Sequence, residues 1–433
     1  MNPPELLVPA GNLEKLRTAV LYGADAVYTG YEGLSLRTSR AEFGLDDLAI
    51  GVKEAHEKGV KVYTALNVFA RNSQLKPIAE AVRNLSEIGI DGIILSDPGV
   101  LQIVKRVDKQ IPVHFSTQAN TTNIEAVRFW LQQGVERIVL ARELRLKEVA
   151  EIAHAVPEME IELFIHGAMC MAYSGRCFLS AALTGRSANQ GECTHPCRWE
   201  YSLMEKSRPE EPFILETDWG GSVPYSYILS SKDLCMIEHL PEILASGVRS
   251  LKIEGRMKSV YYVAAVTRTY RWALDAVSKS EIYSVLEDWL AELGKISNRG
   301  YTTGFYFADE EVVTETNPDS SYEQTYGLAA TVLEYDPIKR LLLLAVRNLI
   351  TAGDRLELLL PDRTILLDSR YMTDEEGNPA AKAHNGHRVL LPLTGERDDE
   401  GLSKGHDGQN LQLSPIDIPE GMVIRRFVGT STR

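Results

Sequence analysis

Four of the five cysteines in this 433-residue chain fall within HGAMCMAYSGRCFLSAALTGRSANQGECTHPCRWEY, residues 166–201: Cys170, Cys177, Cys193 and Cys197, with Cys235 further on. Thiolates are soft ligands, and four on one loop suit either tetrahedral zinc or an iron–sulfur cluster. The gaps of six, fifteen and three residues are not the paired tight knuckles of a zinc finger and favour a cluster held by a long loop. Gly167, Gly175, Gly185 and Gly191 interleave with the cysteines, which lets backbone wrap a compact group at close range. The plain alternative is inert filler, since free cysteine is among the most buried residue types, but a polar, glycine-rich loop has little use for it. A cysteine peptidase is the rival chemistry, because His166 and His195 lie close in sequence and could serve as base. One nucleophile does not explain four cysteines, and neither HExxH nor GxSxG occurs.

Composition limits what surrounds this loop. With 44% hydrophobic and 24% charged residues, the chain reads as globular and long enough for more than one domain. No basic segment followed by an apolar one opens the sequence, and no stretch approaches 18 apolar residues, so neither a secretory signal nor a membrane span is expected. A cytoplasmic location follows as the expectation, and clustered cysteines there are more often ligands or catalytic groups than disulfides. The net charge of −14 argues against a broadly basic surface, so any RNA contact needs a local patch.

The loop must be positioned by something, and the sequence before about residue 325 supplies it. Gly23, Gly59, Gly89, Gly134 and Gly247 each end an amphipathic stretch and precede an apolar run, as helix caps feeding buried strands do. The runs are 5–9, 25–30, 61–67, 92–96, 112–117, 137–141, 161–167 and 249–255. Eight Leu-rich or β-branched strands with helix-sized crossovers predict an α/β fold, a (β/α)8 TIM-like barrel over 1–310, with the doubly wound sheet as the alternative. The cysteine loop, 166–235, is an insertion between strands 7 and 8, leaving from the strand end where barrel enzymes place their chemistry. A linker over 311–326 and a small all-β barrel or sandwich over 327–433 complete the expected organisation.

ELLVPAGNLEKLRTAVLYGADAVYTG, HGAMCMAYSGRCFLS, NQGECTHPCRWEY and SSKDLCMIEHLPEILASGVRSLKIEGRMKS together resemble peptidase family U32, the collagenase-like "peptidases". The similarity spans the barrel, and the C-terminal region resembles the family's appended β-barrel. The resemblance implies an oxygen-sensitive 4Fe-4S cluster held by Cys170, Cys177 and Cys193, with Cys197 as fourth ligand and Cys235 in reserve. In its cysteine loop and its SKDL and KIEGR phrases the chain is most similar to the branch that makes 5-hydroxyuridine at the tRNA wobble position. That branch implies prephenate, a small dicarboxylate, as co-substrate, tRNA as partner, and cluster-assembly or electron-donor proteins as further candidates. Sister branches act on ribosomal RNA or in oxygen-independent ubiquinone synthesis.

Such chemistry needs groups at the ends of the barrel strands. The candidates are Asn67, Asp97, Gln118, Asn120, Arg142, Glu143, His166, Lys252, Glu254 and Arg256, with Arg142, Lys252 and Arg256 as the cations suited to a dicarboxylate. RNA contacts are expected near the loop arginines Arg176, Arg186 and Arg198. The helix after the eighth strand could also contact RNA through Arg256, Lys258, Arg268 and Arg271 interleaved with Tyr261, Tyr262, Tyr270 and Trp272, but the aromatic spacing is read as packing on the barrel and the basic residues as facing water.

Overall fold

A computed structural model of the chain describes residues 4–36, 43–216, 222–279, 286–308, 322–393 and 417–429. Gly23, Gly59, Gly89, Gly134 and Gly247 all have φ between 72 and 97°, the left-handed position that ends a helix without a Cβ penalty. Each is followed by a strand, giving five of the eight strands of the barrel. The eight are β1 (Glu5–Pro9), β2 (Ala26–Gly30), β3 (Lys61–Ala65), β4 (Gly92–Leu95), β5 (Val113–Phe115), β6 (Arg137–Val139), β7 (Glu160–Ala168) and β8 (Ser250–Ile253). They pair in parallel in that order, and β8 pairs with both β7 and β1, so the barrel closes. Helices α1 (Leu13–Leu21), α2 (Leu45–Glu57), α3 (Leu75–Glu87), α4 (Pro98–Val107), α5 (Ile124–Gln132) and α6 (Leu146–Ala155) form the crossovers. Asn12, Asp97 and Asn123 start α1, α4 and α5 by accepting a backbone N–H into the side chain. The TIM-like barrel expected from the apolar runs is therefore the fold.

The barrel interior is not purely apolar. Leu7, Ala26, Tyr28, Tyr63, Ala65 and Ile94 form one small cluster, and buried ion pairs fill the rest. Lys252 Nζ lies 2.7 Å from Glu162 Oε1, and Arg137 lies 2.5 Å from Glu5 and 3.4 Å from Glu162. Glu5 and Arg137 stand at the N-terminal ends of their strands, the face that carries stability in such barrels.

Between β7 and β8 the chain forms α7 (Leu179–Thr184), a short strand Asp233–Cys235, and α8 (Leu240–Ala245). The strand runs antiparallel to the end of β7, with Cys235 opposite His166. Cys235 ends this strand, because β7 overruns the barrel and offers residues 166–168 for pairing.

After β8, α9 (Val260–Ser278) and α10 (Leu286–Gly294) lead to the C-terminal region. Residues 309–321, most of the expected linker, lie outside the described residues. The C-terminal strands begin at Tyr326 and form a six-stranded antiparallel half-barrel, ordered Thr364–Asp368, Arg355–Leu359, Val423–Phe427, Tyr326–Asp336, Leu341–Val346, Arg388–Pro392. Helix α9 is buried almost throughout, Tyr261, Tyr262, Arg268 and Tyr270 included, because it is wedged between barrel and half-barrel. Tyr22 Oη donates to Leu359 O at 2.7 Å, Arg268 to Leu360 O at 2.9 Å and Trp272 Nε1 to Pro361 O at 2.6 Å. Tyr261, Tyr262 and Tyr270 are buried as their spacing implied, but Arg268, expected to face water, is buried as well, because its guanidinium joins the two domains through Glu292 and the carbonyls of Leu360 and Arg363.

Candidate functional site

The C-terminal ends of the barrel strands carry polar side chains that fasten to one another and to the cysteine loop. Asn67, after β3, donates to Gln118 Oε1 at 2.7 Å, and Ser116 Oγ donates to the same oxygen at 2.8 Å. Asn120 follows in a left-handed turn (φ 54°), its side-chain amide nitrogen buried without a partner. Arg142, after β6, crosses the mouth: Nη1 donates to Ala168 O at 3.2 Å, Nη2 reaches Glu254 Oε2 at 3.4 Å, and the guanidinium lies 3.8 Å from the centre of the Phe164 ring. Its Nε is buried with no partner, and so is Oε2 of Glu143.

The cysteine loop lies over this arrangement as a roof. Ser174 N donates to Glu143 Oε1 at 2.6 Å, and Arg142 N donates to Ser174 Oγ at 3.4 Å. Gly175, with φ of 72°, sits so close to Gln118 that a Cβ would collide with the Gln118 carbonyl. Further along, Phe69 N donates to Asn189 O at 3.1 Å and Gln190 Nε2 to Phe69 O at 2.5 Å. The roof is thus tied to segments that follow β3, β5 and β6.

Not every predicted site residue opens on the mouth. Asp97 caps α4, accepting Val100 N at 3.0 Å. Lys252 is buried, 4.4 Å from the Tyr28 ring centre and paired with Glu162. Arg256 is buried against Ser35 Oγ, to which it donates at 3.1 Å, and the Leu36 carbonyl. It packs on Gly30 so tightly that a Cβ there would overlap its guanidinium. His166 is the clearest departure. It is 1% exposed, with ring centres of Tyr270, Tyr301 and Tyr262 at 5.5, 5.4 and 6.0 Å and Tyr270 Oη 3.4 Å from Nδ1. Burial pushes its pKa down to about 3, more than nearby Asp233 restores, so it stays neutral and enclosed, which does not suit a general base at the mouth. The sequence reading missed Glu162 and Ser174. A carboxylate inside the apolar run of β7 was the available signal for Glu162; nothing local marked Ser174.

All five cysteines are free thiols: Cys170 is exposed, Cys177, Cys193 and Cys197 are half-buried, and Cys235 is buried. His195 N donates to Cys193 Sγ at 3.4 Å. Burial raises the Cys197 thiol pKa; Arg198 opposes this, while Cys170 and Cys193 are near enough to add to it. Cys235 stands apart. Its Sγ lies 3.8 Å from Tyr270 Oη, and burial pushes its thiol up to about 11, the setting of a core residue. Among the described residues no three His, Cys, Asp or Glu side chains are gathered closely enough to hold a metal ion. The donor set fits a thiolate-bound cluster in kind, with four free thiols on one roof, and Cys235 does not belong to it.

The sequence profile of Peptidase family U32 matches residues 11–316, and that of the Peptidase family U32 C-terminal domain matches 324–402. The chain belongs to Peptidase family U32. Three relatives span the chemistry named within the U32 family or beside it. A "tRNA hydroxylation protein P" of Helicobacter pylori is 42% identical over 433 residues, covering 99% of this chain and all of its own. A "23S rRNA 5-hydroxycytidine" synthase of Escherichia coli is 40% identical over 274 residues, 63% of this chain and 39% of the relative. A "Collagenase" of Porphyromonas gingivalis is 30% identical over 91% of this chain and 95% of its own.

Proposed function

We propose that this U32 chain is an RNA-hydroxylating enzyme, most specifically one that forms 5-hydroxyuridine at the wobble position of tRNA. In this reading prephenate is the co-substrate, Cys170, Cys177, Cys193 and Cys197 hold a 4Fe-4S cluster, and the protein works in the cytoplasm, supplied by cluster-assembly or electron-donor proteins. One coincidence carries it: similarity along the whole chain to a protein named for tRNA hydroxylation, and a thiol-bearing roof fastened over the barrel mouth.

At that mouth Asn120, Arg142 and Glu143 each keep a buried polar atom without a partner. Such atoms cost free energy until something binds them. Arg142, fixed over Phe164 and only loosely paired with Glu254, offers a guanidinium edge to a carboxylate. Gln118, held by Asn67 and Ser116, lines the same opening beneath the roof. When bound, the cluster supplies electron transfer or a Lewis-acid iron. The chain's own part is to orient the co-substrate through Arg142, to keep the site covered, and to present the roof to RNA.

The test is nucleoside analysis of tRNA from a strain lacking the gene and complemented with wild type, Cys170→Ala or Arg142→Gln, beside iron and sulfide counts on anaerobically purified protein. Hydroxyuridine restored by wild type alone, with about four irons per chain that disappear in Cys170→Ala, is the expected result. An unmodified nucleoside profile in every strain would sink the proposal. The collagenase relative keeps proteolysis as the second reading, but burial raises the Cys197 thiol pKa, the reverse of an activated nucleophile, and His166 is enclosed. Gelatin hydrolysis that survives cluster loss would favour it.

A further inference from the structure

The roof breaks the usual rule for apolar side chains. More than half of the large hydrophobic residues that are exposed among the described residues lie between Met171 and Met257, although that segment is a minor part of the chain. Tyr173 is 68% exposed, Phe178 78% and Leu183 52%, with Trp199 at 41%. Helix α7 is turned inside out: Ser180 is fully buried and Leu183 faces water.

This inversion is held in place. Ser180 Oγ donates to Arg186 O at 2.7 Å and lies 3.0 Å from Thr194 Oγ1, which is in turn 3.3 Å from Thr184 Oγ1. The polar side of α7 is thereby committed to the strand of loop that carries Cys193 and Cys197, and its apolar side is left outward. A monomeric surface rarely gathers apolar groups this way unless something covers them.

Charge narrows what that something is. Residues 166–201 hold three arginines against two glutamates in a chain whose net charge is −14, and Arg176 and Arg186 are exposed and interleave in sequence with the exposed Tyr173, Phe178 and Trp199. Exposed rings interleaved with guanidinium groups match unpaired nucleotides, whose bases stack on aromatic faces while their phosphates meet arginine. A purely apolar protein partner would gain nothing from the arginines, and a duplex would gain nothing from the rings.

We infer that the outer face of the cysteine roof, through Tyr173, Phe178 and Trp199 with Arg176 and Arg186, binds the unpaired nucleotides of an RNA loop. The inference rests on the RNA-modifying reading above and adds which surface recognises the substrate. Nucleotides stacked on this face lie over the mouth, so one of them can be turned inward past the edge of the roof toward Arg142.

The experiment is fluorescence anisotropy with the full-length, anaerobically purified protein and two probes, a tRNA anticodon stem-loop and a fully paired duplex of equal length. The expected result is binding of the stem-loop over the duplex, weakened about tenfold or more by Phe178→Ala or Trp199→Ala. In Arg176→Gln, affinity should fall less steeply with added salt than in wild type. Phe129→Ala, exposed on α5 at the barrel surface, should bind as wild type does, and melting curves should show each variant folded. If wild type binds the stem-loop and the roof variants bind equally well, this surface is overturned and the RNA reading stands. If wild type binds neither probe, the RNA reading itself fails. Self-association abolished by Phe178→Ala, with RNA binding unaffected, would assign the face to a second copy of the chain instead.

Discussion

Arginines at two places in the molecule are treated in opposite ways. Where α9 and α10 meet the half-barrel, Arg425 sits 2.5 Å from Glu292 and 2.6 Å from Glu357. Arg268 joins Glu292 at 2.6 Å and also holds Thr364 Oγ1 and the carbonyls of Leu360 and Arg363. At the barrel mouth Arg142 meets Glu254 only at 3.4 Å and leaves Nε without a partner, and Glu143 leaves one oxygen likewise. Among the described residues the junction's two arginines are close to saturated, Nε of Arg268 being their one nitrogen buried without a partner; the mouth is not. A saturated network resists movement and holds domains together, whereas an unsaturated one gains free energy when a polar ligand arrives.

The largest effect should come from breaking the junction. Glu292→Gln removes the carboxylate shared by two buried arginines and should cost about 3–5 kcal/mol in a denaturant titration. Burial alone would raise the Glu292 pKa, but the hydrogen bond from Arg425 and the charges of Arg268, Arg425 and Lys295 outweigh it and hold the carboxyl well below its usual range. A depressed carboxyl stabilises the fold above its unfolded pKa of about 4.3 and loses that contribution as pH falls through the folded pKa. The variant should therefore lose less stability than wild type on acidification below about pH 4. Equal slopes would show that the junction is not the acid-sensitive element.

Next in size is the roof. Gly175→Ala places a Cβ against the Gln118 carbonyl in a left-handed conformation, a strain of about 1–3 kcal/mol borne by a surface loop. Hydroxylated nucleoside should fall about tenfold while the global melting curve shifts little. A large global loss would mean that the roof is part of the barrel's structure and not a cover.

Arg142→Gln tests the mouth directly. The apparent affinity for the proposed dicarboxylate co-substrate should weaken about tenfold, as loss of a charge-assisted hydrogen bond does, with maximal turnover much less affected. An unchanged co-substrate titration would erase the contrast between mouth and junction.

His166→Gln should have the smallest effect, leaving RNA modification at the wild-type level, because the imidazole is enclosed by tyrosines. It should leave a mark on stability. His166 is neutral when folded, its pKa pushed down to about 3 by burial, so the unfolded chain takes up its proton first. Its contribution is present above about pH 6.5 and declines as pH falls from there. Stability measured across that range should be flatter in the variant; a collapse of modification would restore His166 as a catalytic candidate.

Much of the fold was legible because local chemistry specifies it. Each glycine after an amphipathic stretch stops a helix, and the apolar run behind it has nowhere to go but a strand buried on both faces. The cysteine loop was legible for a similar reason, since soft ligands crowded on a glycine-rich segment announce themselves without any neighbour. Residues at the mouth were less so. Lys252, Glu254 and Arg256 follow one another on or just after β8, yet Lys252 turns to Glu162, Glu254 to Arg142, and Arg256 to Ser35. Those partners come from segments distant in sequence, and no local pattern names them.

The chain's sequence thus determined the eight-stranded barrel, the place of the cysteine insertion, and the presence of an all-β region after it. Only the tertiary structure decided which polar groups are satisfied and which are left open. His166 shows why. A register shift between Lys252 and Ile253 opposes two β7 residues to one on β8, which resets the alternation of faces, and His166 packs against α9 instead of facing the mouth. Strand periodicity is a local property and reads from sequence, but a bulge arises between two strands, and its consequence exists only where they meet.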